Sequence, residues 1–283
     1  MTHAEQLTAP ITEHGEGPVW WPDGHLRCVD LLAGDLVDVH EDATITRSHI
    51  SQVAAVVRPR SAGGAVVAVE RGIVLLDDSG NATRQPEVWG DPGVRMNDGG
   101  CDPDGRFYCG SMAYDEAPGR GSLYRFDKDG TATVILAGVT ISNGFAFAPD
   151  GSTAYYADTP TQRIDAFDYD YQRGLTRRRP LITIPPEAGS PDGITVDSEG
   201  GIWVACWGGS AVRRYHRDSS LDAVIDIPGV DQVTACTLGG PHLDRLYVTT
   251  SRRGLDPTAA GGAGAIFTVD DVIPGQPVQP ADL

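Results

Sequence analysis

Six times along the chain a short apolar or alternating run follows a Gly- or Pro-containing turn. The runs are LRCVDLL from Leu26, AVVAVE from Ala65, RFYCGSM from Arg106, TAYYAD from Thr153, GIWVAC from Gly201 and RLYVTT from Arg245. A second strand-like run trails each: DLVDV, GIVLLD, SLYRFD, RIDAFDYD, AVRRYHRD and AIFTVD. The interval of roughly 40–50 residues suits a four-stranded propeller blade. Asp-Gly and Asp-Ser turns, as at Asp129–Gly130, close antiparallel hairpins. Gly, Pro, Asp and β-branched residues interrupt every window in which a helix would need its 3.6-residue period. One blade cannot bury both its faces, so six around an axis are expected to form one all-β domain, a six-bladed β-propeller over residues 1–283. A first strand near Gln6–Ile11 is expected to complete the last blade and tie the ends together.

Composition narrows the partners. A net charge of −17 argues against a nucleic-acid backbone or an anionic membrane surface, and solubility alone explains it. The longest apolar runs, such as VAAVV, are too short to span a bilayer. MTHAEQLTAP lacks the basic region and apolar core of a signal peptide, so a cytoplasmic location is expected. Five cysteines at 28, 101, 109, 206 and 236 lie in or beside strand-like runs with no CxxC spacing, as expected of buried free thiols.

Four blades share a finer alignment: EGPVWWPD from Glu16, NDGGCDPD from Asn97, NGFAFAPD from Asn143 and DGITVDSE from Asp192. Each begins with an oxygen-bearing side chain seven positions before the acidic residue of a turn. The leading residues therefore hold one structural place, the entry of the innermost strand, and equivalent entries converge at a propeller's axis. The same count lands near Ala54 and Ala235 in the other two blades, which leaves the ring open on one side. Two carboxylates and two carboxamides at a narrow axis are costly without a compensating cation. Oxygen donors without His or Cys favour one hard divalent ion, Ca²⁺, Mg²⁺ or Mn²⁺, with Zn²⁺ less expected. Taken singly, Asn or Asp before Gly is a common turn residue, and an ion that only stabilises the fold is a further alternative.

The motifs EGPVW, RMNDG followed by DPDGRFYCGSM, ISNGFAF, DAFDYD, PDGITVD followed by GIWVACW, and the terminal GLDP with GAIF occur in order over nearly the whole chain. In this the chain resembles the SMP-30/gluconolactonase/regucalcin-like family of six-bladed propellers with one divalent metal, many of which hydrolyse sugar lactones. The resemblance implies Glu16, Asn143 and Asp192 as metal ligands and Arg95 and Asn97 as substrate contacts. That moves Asn97 from the ligand set to the substrate. Where regucalcin-like members carry a glutamate after the GTM-like stretch, GSMAYDEAPG has Asp115 with Glu116 next, so Asp115 is expected to take the substrate contact and to alter which sugar hydroxyl is recognised.

The implied reaction is the hydrolysis of an aldonolactone such as gluconolactone to the sugar acid. The metal polarises the carbonyl, Asp192 acts as base, and Arg95 and Asn97 hold hydroxyls or steady the oxyanion. A non-enzymatic calcium-binding regulatory propeller, and an esterase or phosphotriesterase using the same site, are the alternatives. His14 is read as a loop residue near the well, and Ser142 and Ser190 as strand-entry residues. Trp20, Trp21, Trp203 and Trp207 are read as packing between blades, with lining of the pocket as the alternative for Trp207 near its loop. Arg177–Arg179 reads as a solvated turn.

Overall fold

The computed structural model describes residues 2–42, 44–256 and 261–283. Pro257 of the GLDP motif lies outside the described residues. Six sheets surround a central channel, each built on four antiparallel strands; the sheet of blade 5 gains a short fifth strand, parallel to its outer one, and blade 6 takes its fourth strand from the N-terminal segment. The innermost strands of blades 1 to 6 are Gly15–Trp20, Ala54–Pro59, Val94–Cys101, Ser142–Phe147, Ser190–Val196 and Val233–Gly239. Each contacts the next around the ring, and blade 6 contacts blade 1. Only two single-turn 3₁₀ segments, Thr159–Thr161 and Pro186–Ala188, interrupt the β structure among the described residues. Among the described residues no helix is long and apolar enough to cross a membrane.

Burial follows position within the blade. The second strand of blade 2, Ala65–Val69, is buried throughout, whereas the outermost strands Ile45–His49 and Ala82–Arg84 are exposed throughout. Faces of neighbouring blades pack through Val, Leu, Ile and Phe, among them Val29, Val56, Val67 and Phe107. Each fully buried side chain of this size contributes about 1.5–3 kcal/mol. Trp20 stacks on Tyr247 across the joint between blades 1 and 6, with ring centroids 5.5 Å apart, and Trp203 is buried with its N–H donated to Asp197 Oδ2 at 2.9 Å. The five cysteines are free, four of them buried and Cys101 half-buried.

The ring closes through the N-terminal segment. Glu5–Gln6 pairs antiparallel with Phe267–Val269 as the fourth strand of blade 6, while Thr2–His3 runs parallel to the outer strand of blade 5. The expected closure is present, but its strand ends at Gln6. Residues 7–12 continue by backbone bonds from Leu7 and Thr8 to Ile266 and from Ile11 and Thr12 to Gly264. Deleting residues 2–12 is expected to lower the thermal midpoint by about 5 °C or more, read by calorimetry. An unchanged midpoint would show the clasp to be dispensable.

Arg177–Arg179 is exposed, as expected, but it is not a turn. It lies within the outer strand of blade 4, Gly174–Thr183, where Arg178 Nε donates to Asp165 at 2.5 Å and its guanidinium lies 5.6 Å from the Tyr156 ring centroid. Ionic partners on the neighbouring strand hold the run in the sheet.

Candidate functional site

Every innermost strand carries one extra residue near its entry. The register shifts fall at Glu16/Val19, Ala54/Val56, Met96/Gly99, Asn143/Phe145, Pro191/Ile194 and Val233/Ala235. A β-bulge suspends strict alternation and re-aims a side chain, which is how these entries turn polar groups toward the axis. The glycines after Asn143 and Asp192 belong to these bulges and not to hairpin turns. A Cβ on Gly144 would stand 2.6 Å from Asp192 O, and one on Gly193 would stand 2.4 Å from Ala235 Cβ. Adjacent inner strands are that close. In blade 6 the bulged residue is Thr234, one place before the expected Ala235. Its hydroxyl is committed to Gly15 O at 2.5 Å and lies 2.8 Å from Thr249 Oγ1. Blade 2 presents only Ala54 and Ala55.

Three of the expected residues form one hydrogen-bonded chain. Arg95 Nη1 donates to Asn97 Oδ1 at 2.7 Å, and Asn97 Nδ2 donates to Asn143 Oδ1 at 2.8 Å and Ser142 O at 2.9 Å. Asn143 Nδ2 donates to Thr159 Oγ1, which in turn donates to Pro191 O, the carbonyl just before Asp192. The Asn97 amide is therefore fully engaged and fixes the Asn143 amide oxygen. Ser142 Oγ accepts from Tyr156 Oη and Ser190 Oγ from Gln162 Nε2, so both serines are structural, as expected.

Glu16 and Asp192 lie on the inner strands of blades 1 and 5, each about 95% buried. Glu16 Oε2 accepts from Gly17 N–H at 3.2 Å, and Asp192 Oδ1 is buried with no hydrogen-bond partner. Burial, then the charge of Asp98, pushes the Glu16 carboxyl up to about 8. Burial, then Glu16 and Asp98, raises Asp192 well above the usual carboxylate range. Like charges in a desolvated space cannot all ionise without a counter-charge. An orphaned carboxylate oxygen, a second buried carboxylate and an amide oxygen are a donor set that fits a hard divalent cation. Among the described residues no three His, Cys, Asp or Glu side chains converge as a ligand set, so the third donor on offer is an amide.

His14 is not a loop residue. It is buried in the wall of the well, bridged to Ser251, with Nδ1 2.8 Å from Ser251 Oγ and Nε2 3.9 Å from Glu16 Oε1. Burial, with Arg95 and Arg253 nearby, brings its imidazole down to about 3, so it stays neutral. Trp207 meets it edge-on at 6.0 Å. Arg95 is 2% exposed; burial lowers its guanidinium to about 10, which leaves it cationic at neutral pH.

Asp115 does not join the buried group. It is exposed in the turn after Phe107–Ala113, accepts Ala117 N–H at 3.1 Å and lies 3.6 Å from Arg120 Nη1. Its neighbour Glu116, at φ 57°, is one of the charges felt by Arg95. Tyr114, beside them, faces Arg95 with its ring 5.8 Å away and donates its hydroxyl to Glu70 Oε1 at 2.8 Å. Tyr114 and Glu70 carried no signal, because an aromatic and a carboxylate at blade edges have ordinary structural readings.

Asp98 is the other residue that sequence reasoning missed. It is buried beside Asn97 in the blade 3 bulge, and its Oδ1 accepts Gly99 N–H at 2.7 Å. It lines a cavity of about 860 Å³, bounded also by Trp20, Trp21, Phe147 and the tail residues 276–279. Glu16, Asn97, Asn143 and Asp192 do not line that cavity, which extends along the downstream ends of the inner strands. The buried polar groups at the strand entries therefore lie apart from it.

The family model described as SMP-30/Gluconolactonase/LRE-like region matches residues 14–252. The chain belongs to this family. Among SMP-30/gluconolactonase relatives, pentonolactonase XacC of Haloferax volcanii is 36% identical over 280 residues, covering 95% of this chain and 94% of that protein. Regucalcin of Danio rerio is 34% identical over 268 residues, 91% of this chain and 90% of its own length. The crystal structure of a calcium-binding protein, regucalcin, from Agrobacterium tumefaciens superposes with a TM-score of 0.93 at 30% identity, over 100% of this chain and 98% of that one. The SMP-30/gluconolactonase match begins at His14 and takes in all four ring residues.

Proposed function

We propose that this protein is a divalent-cation-dependent lactonase that opens a sugar lactone to the sugar acid. The observation that carries the reading is the unpartnered, buried Oδ1 of Asp192, a carboxylate that also feels the charge of buried Glu16. Relatives named pentonolactonase and calcium-binding regucalcin support it. Glu16, Asn143 and Asp192 would hold Ca²⁺, Mg²⁺ or Mn²⁺, and a cation there would supply Lewis acidity toward the lactone carbonyl. Asp192 takes the proton of the attacking water. Arg95, cationic and fixed against Asn97, orients the sugar hydroxyls or steadies the negative charge that develops on the carbonyl oxygen. Asn97 holds the Asn143 amide oxygen toward the ring while its neighbour Arg95 meets the substrate. The turn Asp115–Arg120 stands over Arg95 from the paired strand, and Glu116 and Tyr114 carry more of the recognition there than Asp115 does.

The test is a panel of five- and six-membered aldonolactones, followed by proton release, with chelator and with Ca²⁺, Mg²⁺, Mn²⁺ or Zn²⁺ restored. Metal-dependent turnover of at least one lactone is expected. Cation binding without turnover of any lactone leaves the regulatory calcium-binding reading, and turnover of simple esters or phosphotriesters alone leaves the other. Arg95→Met is expected to raise KM for the lactone about 10-fold or more, as for a lost charged hydrogen bond. An unchanged KM and kcat in steady-state assays would remove Arg95 from the substrate site.

A further inference from the structure

Blade 2 brings no oxygen donor to the ring, yet its inner strand sends one side chain beneath it. Arg58, four residues after Ala54, spreads its guanidinium over three backbone carbonyls. Nη1 donates to Val57 O at 2.7 Å and to Gly17 O at 3.4 Å, and Nη2 donates to Gly99 O at 2.8 Å. Gly17 directly follows Glu16, and Gly99 closes the bulge that carries Asn97 and Asp98. Gly17 has φ 53° and lies in the blade 1 bulge, so Glu16 is the last residue in register before the chain leaves the ladder. The long contact to Gly17 and the short one to Gly99 together join blades 1, 2 and 3 at the floor of the ring. Among the described residues Arg58 is the only Lys or Arg lining the cavity into which Asp98 projects.

We propose that Arg58 is a positioning residue for the cation site, which sets the bulges of blades 1 and 3 so that Glu16 and the Asn97–Asn143 amide pair meet at one point. The inference rests on the reading of the ring as a cation site and not on the identity of the lactone. Its basis is geometric: a planar guanidinium can hold two or three carbonyls at fixed angles, which a lysine ammonium on a flexible stem cannot do. Groups that orient metal ligands from behind cost about 10–100-fold in metal affinity when lost.

The test uses the full chain, freed of metal, in wild-type, Arg58→Lys, Arg58→Gln and Arg58→Met forms. Affinity for Ca²⁺ alone, and separately for Mn²⁺ alone, is measured by calorimetric titration without lactone, and the thermal midpoint of each ion-free form is recorded. Arg58→Lys keeps the charge, so it separates positioning from electrostatics and is the form best able to fold. The expected result is a Kd raised about 10-fold or more in all three variants, Lys included. A Kd within about twofold of wild type in Arg58→Lys, with Arg58→Met shifted, assigns the effect to charge and overturns the proposal. Unchanged Kd values with a lowered midpoint assign Arg58 to blade packing alone and overturn it too. Wild type that binds neither cation fails the cation reading and this proposal together. Wild type that binds a cation but opens no lactone fails the lactonase reading and leaves this one standing.

Discussion

Asp192→Asn is expected to lower kcat on a sugar lactone by about 10³-fold, near the middle of the range for a lost general base. The substitution is isosteric and keeps an oxygen at the position of the orphaned Oδ1, so the ring retains a donor to a cation. It removes the group that accepts the proton of water. The wild-type carboxyl is raised by burial and by Glu16 and Asp98. A neutral amide there relieves like-charge repulsion in the ion-free protein, whose thermal midpoint should hold or rise. A fall in kcat without a fall in midpoint separates loss of chemistry from loss of fold. A kcat within about tenfold of wild type would show that Asp192 only holds the ion, and the base would have to be sought elsewhere in the well.

Withdrawal of the cation is expected to abolish turnover and lower the thermal midpoint by about 5 °C relative to protein in a hundredfold excess of cation over Kd. The loss should depend on pH. Glu16 sits at about 8 in the ion-free ring, against about 4.5 for the unfolded chain. The native state therefore binds more protons than the unfolded state between those values. Linkage makes the ion-free protein lose stability as pH rises from about 4.5 to 8, with the group's stability fully present below that window. Protons and cation compete for the same carboxylates, so apparent cation affinity should climb through the same window. Calorimetric scans at pH 5, 6.5 and 8, with and without Ca²⁺, measure both. Equal midpoints in chelator and cation at pH 8 would show that no ion is held by these carboxylates.

The fold and much of the site were legible because different physics marks each. Paired strand runs recur at one interval and few other folds bury such units, so the six blades could be read directly. Glu16, Asn97, Asn143 and Asp192 stood out because oxygen-bearing residues held one phase of that repeat where packing alone would favour apolar ones. The bulges were not legible. A strand read with period two sends Asp98 away from the axis if Asn97 faces it, whereas the extra residue lets both be buried. The same offset moved the blade 6 position from Ala235 to Thr234. Asp115 was chosen for its chemistry at a matched position, but its side chain is spent on its own turn while Glu116 lies within the field of Arg95. Arg58 gave no sign, because its partners are carbonyls of two other blades and backbone carries no sequence identity.

The clasp that pairs Glu5–Gln6 with Phe267–Val269 has a consequence for biosynthesis. The clasp strand precedes all six repeats and its partner lies in the sixth, so it stays unpaired until that repeat has been made. A prematurely terminated product lacking the sixth repeat leaves an open arc, and its donors from blades 1 and 5 are no longer drawn to a common centre. On the cation reading proposed above, capacity to capture a mineral ion should therefore switch on only once the sixth repeat has met the first.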